Sequence, residues 1–153
     1  MLDIILAPAA QDDLEYLVAL RIEAMRASLE RIGRFDPVRA RERFASSFEP
    51  ALTRHIMLRG LRVGFVVVKQ KMDELLPDHL LEHLYIAPAH QGRGLGAAAL
   101  ALVFDEADRA GRAVRVDALR ESGSNRFYLK HGFQKIGESE WDIYYLRPAQ
   151  SPR

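Results

Sequence analysis

The chain contains no cysteine. This absence excludes disulfide bonds, a thiolate nucleophile and zinc sites built from cysteine. The five histidines show no spacing typical of metal ligands, so we predict no metal site. A chain without cysteine is compatible with a reducing compartment, and we expect a cytoplasmic location.

Long apolar runs and an excess of one charge are missing as well. No segment approaches the ~20 apolar residues that a membrane-spanning helix needs. The opening residues, MLDIILAP, are too few and too acidic for a signal peptide. The formal net charge is +1, which gives no strong field toward nucleic acid or an anionic membrane. We therefore expect neither nucleic acid nor a membrane as a partner.

The composition that remains is that of an ordinary globular chain. It has 153 residues, of which 48% are hydrophobic and 28% are charged. This length and balance allow a proper core, so we predict one domain over residues 1–153.

The most informative stretch is residues 81–102, which read LEHLYIAPAHQGRGLGAAALAL. An apolar run precedes a turn at Pro88, three glycines follow at Gly92, Gly94 and Gly96, and an alanine- and leucine-rich run comes last. This order predicts a strand, a glycine turn and a helix. The first N–H groups of a helix lack partners inside it, and the helix dipole adds positive potential there. Residues 91–96 are therefore predicted to bind a phosphorylated ligand, which the glycines allow to approach closely.

One candidate ligand is a dinucleotide. Gly92-x-Gly94-x-x-Ala97 matches the dinucleotide fingerprint, and Asp117 near the end of the next apolar run resembles a ribose-binding acid. However, a loop containing Pro88 separates the strand end at Ile86 from the first glycine. Few residues remain after Asp117 for the further βαβ units that such a fold requires.

Hydrophobic patterning predicts an α/β chain with a mixed sheet and helices on both faces. The element order is β-α-α-β-β-β-α-β-α-β-β, and the strand–helix–strand unit around the glycines implies a parallel strand pair. Strands are expected at 3–7, 56–58, 63–68, 81–86, 113–119, 133–138 and 141–146. Helices are expected at 9–33, at 36–48 with Asp36 as N-cap and Pro37 next, from the glycines to about 110, and at 124–131. A turn is expected at 59–62, a polar loop at 73–78 and a frayed tail from Pro148.

Two motifs resemble those of one enzyme family. Gln91-x-x-Gly94-x-Gly96 is similar to the pyrophosphate loop of the GNAT superfamily of N-acetyltransferases, which bind acetyl-coenzyme A. The wider strings are Leu84-Tyr85-Ile86-x-Pro88-x-x-Gln91-Gly92-x-Gly94-x-Gly96 and, downstream, Phe127-Tyr128-x-x-x-Gly132-Phe133. The resemblance covers roughly residues 61–146. It implies a GNAT-like acyl-CoA N-acyltransferase fold, in which the central parallel strands splay apart to admit the pantetheine arm. Backbone pairing should then break between residues 81–86 and 113–119.

The resemblance also implies the function. We expect transfer of the acetyl group of acetyl-CoA to a primary amine of a small molecule or protein, by direct attack in a ternary complex. The alternatives are a catalytically inactive acyl-CoA-binding module of the same fold and, less favoured, a dinucleotide-binding oxidoreductase. A homodimer is also considered, paired through apolar residues at the sheet edge in the last hairpin, Ile143, Tyr144 and Tyr145.

Two residues are candidates for proton transfer. Glu82 is the only carboxylate in the central strand, and burial there would raise the pKa of a base. In similar enzymes a proton-accepting residue often stands nine positions before the Gln or Arg of the pyrophosphate loop, and Glu82 stands nine positions before Gln91. Its alternative is a glutamate that faces solvent or pairs with an arginine. Tyr128 is the candidate acid, because in similar enzymes this hydroxyl reaches the coenzyme sulfur. Its alternative is a core tyrosine that packs under the sheet.

The remaining candidates bind the two substrates. Asn125 would hydrogen-bond the pantetheine arm or cap its own helix, and Glu121 stands where many family members carry asparagine. An oxyanion donor is expected among the backbone N–H groups near Tyr85 or Ile86. The predicted cofactor-binding residues are Tyr85, Ile86, Gln91, Gly92, Arg93, Gly94, Leu95, Gly96, Asn125 and Tyr128, and the predicted acceptor-pocket residues are Arg26, Glu30, Arg34, Phe35 and Trp141.

Overall fold

A computed structural model describes residues 3–71 and 78–151. The predicted element order is confirmed. The strands are β1 (Ile4–Pro8), β2 (Thr53–Leu58), β3 (Leu61–Lys71), β4 (Asp78–Ile86), β5 (Val114–Leu119), β6 (Gln134–Glu138) and β7 (Asp142–Arg147). The helices are α1 (Leu14–Arg31), α2 (Pro37–Ser47), α3 (Leu95–Arg109) and α4 (Ser124–Lys130), with short 3₁₀ turns at Gln11–Asp13, Pro50–Leu52 and Pro88–His90. Of the predicted polar loop, 73–77 lie outside the described residues and Asp78 begins β4.

The seven strands form a mixed sheet in the order β1-β2-β3-β4-β5-β7-β6. The β4–β5 pair is parallel, as predicted, and it joins His79–Leu81 to Val114–Val116. The ladder ends at Leu81 and Val116, although β4 continues to Ile86 and β5 to Leu119. This early end is the predicted break in the central parallel pair.

The predicted dimer edge in the last hairpin is wrong. β7, which carries Ile143, Tyr144 and Tyr145, is not an edge strand, because it pairs with β5 on one side and β6 on the other. Tyr145 is buried. The sequence pattern of a hairpin does not tell which of its strands enters the sheet, and here the second one does.

The chain divides into two compact units, residues 1–67 with 83–99 and residues 68–82 with 100–153. The single domain over residues 1–153 stays a prediction. In the first unit, α1 and α2 pack on β3 through Leu17, Phe44 and Phe65. A separate cluster joins the start of α3 to β2 and β3 through Leu95, Ile56 and Val63. His55 lies opposite Phe65, and the next residue, Ile56, lies opposite Gly64. Because successive strand residues face opposite ways, Ile56 and Phe65 lie on different faces, so these clusters cover the two faces of the sheet.

β2 begins at Thr53, three residues before the predicted start. The added residues include two polar side chains, Thr53 and His55, which are nevertheless almost fully buried. The Thr53 hydroxyl donates to the carbonyl of Glu49 at 2.9 Å, and His55 Nε2 lies 3.0 Å from Asp13 Oδ2. Buried polar groups of this kind are hidden from a hydrophobic pattern, since their burial depends on partners elsewhere in the chain.

The β2–β3 hairpin closes with two residues, Arg59 and Gly60, which both have positive φ (51° and 81°). Such a tight turn lets β3 begin at Leu61, before the predicted start at residue 63. Further along β3, the backbone at Gly64 lies very close to β4. A Cβ built on Gly64 would stand 2.2 Å from the carbonyl oxygen of Tyr85.

In the second unit, Arg147 links the end of β7 to α3. Its guanidinium makes two hydrogen bonds to the Asp108 carboxylate, at 2.8 and 3.1 Å, and stacks on the Phe104 ring at 3.9 Å. The backbone N–H of Gln150 also donates to Asp108, at 3.0 Å. The predicted fraying from Pro148 is therefore wrong at Gln150.

We expect Gly64→Ala to lower the free energy of unfolding by about 1–3 kcal/mol, because the new methyl group overlaps a backbone atom that cannot rotate away. Urea unfolding measures the loss. Gly123→Ala is the matched control, since Gly123 has φ −64° and open space at its Cβ position. Equal stability of the two variants would contradict the close approach.

The Arg147 guanidinium, chiefly through its hydrogen bonds, holds the pKa of the Asp108 carboxyl below its ordinary value. A lowered pKa means that the ion pair stabilises the fold fully above pH ~4, and that this stability is lost as the pH falls through the folded-state pKa. Asp108→Asn should cost about 2 kcal/mol at pH 7 and flatten the acid part of a stability–pH curve. Asp105→Asn, at an exposed pair with Arg109 on the same helix, should cost about 0.5 kcal/mol or less. Equal losses in both variants would refute the role of Asp108.

Candidate active site

The segment that follows β4 is fixed to the sheet by two hydrogen bonds, one to β3 and one to the end of β4. The backbone N–H of Ala87 donates to the Val63 carbonyl at 2.9 Å. The side-chain Nε2 of Gln91 donates to the Ile86 carbonyl at 3.0 Å. Gln91 therefore fastens the turn to the strand end, so its side-chain donor has a structural use that the sequence does not reveal.

The glycine turn itself is exposed and takes a backbone conformation that suits glycine. Gly92 and Gly94 have φ of 78° and 77°, in the left-handed region. A Cβ on Gly92 would meet no protein atom within 4 Å. The requirement for glycine at this position is thus conformational, and the space beside its backbone is open to a ligand.

Helix α3 starts directly after this turn. The N–H of Ala98 donates to the Gly94 carbonyl at 3.1 Å, so the N–H groups of Leu95, Gly96 and Ala97 have no acceptor within the helix. The Leu95 side chain is buried, which leaves only its main chain for binding. Arg93 is exposed, with Nη1 3.3 Å from His90 Nδ1. The arrangement offers main-chain donors, the positive end of a helix dipole and one guanidinium to an anion.

Tyr85 belongs to an aromatic group that was not predicted from the sequence. Its ring centroid lies 5.5 Å from that of Phe65 and 5.6 Å from that of His83, and the His83 ring lies 5.2 Å from Phe44. His83 Nδ1 is 3.5 Å from the Tyr85 hydroxyl oxygen. The imidazole of His83 is therefore half-buried on β4, next to Glu82. The sequence did not point to this histidine, because the spacing of the histidines is not that of metal ligands.

Glu82 is not the isolated carboxylate that the sequence suggested. Its Oε2 lies 3.0 Å from Nζ of Lys69 on β3, and both side chains are mostly buried, with 24% and 20% of their surface exposed. The alternative considered for Glu82 was an ion pair with an arginine, and the structure has an ion pair with a lysine instead. The catalytic role of Glu82 stays a prediction, and any such role has to operate beside a lysine.

Tyr128 is buried on α4, with 6% of its surface exposed. Its ring packs against those of Phe133, at 5.2 Å between centroids, Phe127 and Tyr145. The packing predicted by the core alternative is present, and it also gives the phenol a defined position. Its role as an acid stays a prediction.

Asn125 uses its side chain within the protein. Nδ2 donates to the carbonyls of Leu119 and Ser122 at 2.9 and 3.0 Å, and Oδ1 accepts from the Tyr145 hydroxyl at 2.7 Å. It does not cap α4, because its amide points back to the preceding loop. Both Nδ2 hydrogens are committed, so a bond that Asn125 donates to a pantetheine arm would have to displace one of them, whereas Oδ1 has a second lone pair that can accept a bond.

Glu121 has φ of 72°, the left-handed conformation that asparagine and glycine adopt more easily than glutamate. The backbone keeps that conformation here with a glutamate in place.

The predicted acceptor residues fall in both units. In the first, the Arg26 guanidinium lies 4.8 Å from the centre of the Phe35 ring, and Glu30, exposed, is one turn further along α1. Trp141, in the second, is 37% exposed, and its carbonyl accepts the Arg120 N–H at 2.7 Å. Their binding roles stay predictions.

Within residues 3–71 and 78–151, no group of three or more histidine, aspartate or glutamate side chains is arranged to hold a metal ion. None of the helices in this part of the chain combines the length and apolarity that spanning a membrane requires.

Comparison with known families shows to which family the chain belongs. The model of the acetyltransferase (GNAT) domain matches residues 53–135, which is more than half of the sequence. The chain belongs to the GNAT acetyltransferase family. The match contains the glycine turn, the start of α3 and both Glu82 and Tyr128. A dinucleotide function for Gly92-x-Gly94-x-x-Ala97 gains no support.

Solved GNAT structures share the fold of nearly the whole chain. An acetyltransferase from Thermus thermophilus is 22% identical, covers 96% of this chain and 97% of its own, and has a TM-score of 0.74. A PaiA N-acetyltransferase from Thermoplasma acidophilum, in complex with coenzyme A, is 16% identical, with 95% and 99% covered and a TM-score of 0.76. The ribosomal-protein-S18-alanine N-acetyltransferase from Escherichia coli is 18% identical, with 98% and 97% covered and a TM-score of 0.67.

A curated relative matches a shorter segment. The L-methionine sulfoximine/L-methionine sulfone acetyltransferase of Salmonella typhimurium is 39% identical over 54 residues. Those residues are 35% of this chain and 32% of the relative, so the match spans about a third of that protein's length.

We expect Lys69→Met to lower the free energy of unfolding by about 2 kcal/mol, because it removes a counter-charge 3.0 Å from the mostly buried Glu82 carboxylate. The double variant Lys69→Met/Glu82→Gln should cost less than the sum of the single changes. Urea unfolding of the four proteins gives the coupling energy, which we expect to be about 1 kcal/mol or more. Additive losses would show that the pair is not coupled.

Proposed function

We propose that the protein is an acetyl-CoA-dependent N-acetyltransferase that acts on a primary amine of a small molecule or protein. The observation that carries the proposal is the exposed glycine turn of residues 91–94, fastened to β4 and followed by the open first turn of α3. It lies inside the segment that matches the GNAT family. The complex of the Thermoplasma acidophilum relative with coenzyme A supports the choice of co-substrate.

The proposed diphosphate site uses main-chain groups first. The N–H groups of Leu95 and Gly96 would donate to phosphate oxygens, and the helix dipole would favour the negative charge. Arg93 adds a formal positive charge, and its exposure leaves it able to turn toward a phosphate. Gln91 acts indirectly, because its side chain is bonded to Ile86. Asn125 is left out of this set, since its donors are already used.

Acetyl transfer in a ternary complex needs a neutral amine, whose nitrogen attacks the thioester carbonyl carbon. The C–S bond then breaks, the nitrogen loses a proton to a base, and the thiolate takes one from an acid. Glu82 is the proposed base, acting directly or through water. His83 is a second candidate, because it is half-buried on the same strand. Tyr128 is the proposed acid, and a backbone N–H near Tyr85 or Ile86 is the proposed oxyanion donor.

The names of two relatives indicate the general class of acceptor. One is named for methionine sulfoximine and sulfone, another for an alanine of a ribosomal protein. These names support an amine acceptor without choosing between a small molecule and a protein. The exposed Arg26 and Glu30 on α1 are proposed contacts for charged groups of the acceptor, with Phe35 as an apolar contact. The role of Trp141, in the second unit, stays a prediction.

The first test measures binding by thermal shift. Acetyl-CoA at ~100 times its Kd should stabilise the protein by about 2.7 kcal/mol, while NAD at the same concentration should not. Arg93→Ala should weaken acetyl-CoA binding about 5- to 10-fold, as expected for one lost charge-assisted contact. Arg39→Ala, at an exposed arginine of α2, is the control and should bind normally. A thermal shift that shows no stabilisation by acetyl-CoA would contradict the proposal.

The second part of the test follows thiol release over a panel of amines. With the best amine, Tyr128→Phe should lower kcat about 100-fold or more, and Glu82→Gln should change the rate–pH profile between pH ~6 and ~9. His83→Gln separates the two candidate bases. Acetyl-CoA binding with no thiol release from any amine would instead indicate a protein that binds the coenzyme without catalysis.

A further inference from the structure

The second unit contains a buried polar contact that the proposed chemistry does not use directly. The Tyr145 hydroxyl, on a side chain 2% exposed, donates to Asn125 Oδ1 at 2.7 Å. Tyr145 lies on an inner strand of the sheet, opposite Val116 of β5 and Lys135 of β6. Strand pairing on both sides therefore fixes the backbone that carries the donor, and Asn125 on α4 is the partner that the bond holds.

Asn125 passes this constraint on to α4. It is the second residue of the helix, and its Nδ2 bonds to the Leu119 and Ser122 carbonyls tie it to the end of β5. α4 has only seven residues. A helix this short is not stable by itself, so its position depends on such contacts.

Tyr128 stands one turn after Asn125 on the same helix. Its ring centroid is 6.3 Å from that of Tyr145 and 5.2 Å from that of Phe133. Residues three apart lie on the same side of a helix, so a shift of Asn125 moves Tyr128 with it. Burial raises the pKa of Tyr145, which keeps its hydroxyl protonated and donating over the working pH range.

We propose that Tyr145 and Asn125 are positioning residues, whose hydrogen bond holds α4 so that the Tyr128 hydroxyl stays where it can act on the coenzyme sulfur. The inference rests on the proposed function of Tyr128 as the acid. A phenylalanine at position 145 would fill the same space, so packing alone does not require the hydroxyl.

The test is a double-mutant cycle on kcat, with acetyl-CoA and the amine that gives the fastest thiol release. Tyr145→Phe should lower kcat about 10-fold, because small misplacements of a reacting group are costly, and should change the KM for acetyl-CoA less than about 2-fold. In a Tyr128→Phe background the same change should have no further effect on kcat. The loss of Tm, a few degrees, should be equal in both backgrounds.

Tyr144→Phe is the matched control, since it removes a hydroxyl from the neighbouring position of β7 and should leave kcat unchanged. If Tyr145→Phe does not fold, Asn125→Ala serves instead, because it removes the acceptor of the Tyr145 hydroxyl together with the donors to Leu119 and Ser122. The same pattern of effects is expected.

A second readout does not depend on turnover. The five tyrosines are replaced by 3-fluorotyrosine, and the fluorine resonance of Tyr128 is assigned by its disappearance in Tyr128→Phe. Tyr145→Phe should shift or broaden that resonance, and Tyr144→Phe should not.

The outcomes separate the two ideas. Suppose that Tyr128→Phe lowers kcat. The positioning role is then overturned, and the acid role stands, if Tyr145→Phe leaves either kcat or the Tyr128 resonance unchanged. The same conclusion follows if Tyr145→Phe lowers kcat equally in both backgrounds. If Tyr128→Phe itself keeps normal kcat, the acid role fails and the positioning role fails with it.

Discussion

The first unit depends on how the chain leaves β4 and starts α3. Every main-chain group in that short passage needs a partner or contact with solvent, and the passage must still leave donors open. The solution is a turn bonded on its inner side, through Ala87 to Val63 and through Gln91 to Ile86, and open on its outer side at Gly92 and Gly94. A rigid attachment and an open backbone are thus combined in adjacent residues.

The second unit solves a different problem, which is to hold a short helix. α4 has too few residues to be stable alone, and its contacts come from aromatic packing at Phe133 and from the polar chain of Tyr145, Asn125 and Leu119. Two residues further along β7, Arg147 is held by Asp108. β7 therefore makes polar contacts to both α4 and α3, although nothing in its sequence marks it as an inner strand.

Local signals in the sequence were sufficient for the elements. Asp36 accepts a hydrogen bond from the Arg39 N–H and caps α2, and Gly111 and Gly132 have positive φ where helices were predicted to end. These features depend on neighbours in the chain. Partners distant in sequence were not predictable, because periodicity gives the face of a residue and not the side chain opposite it. Lys69 beside Glu82 and Tyr145 beside Asn125 are the clearest cases.

Trp141 gives the molecule a built-in reporter. It is the only tryptophan of the chain, it is partly exposed beside β7, and its carbonyl is bonded to the residue that follows β5. Indole emission depends on local polarity, so fluorescence excited selectively at this ring monitors the end of the β6–β7 hairpin without labelling. Stopped-flow mixing with a ligand would therefore follow events at that hairpin in real time, and the first unit would stay spectroscopically silent.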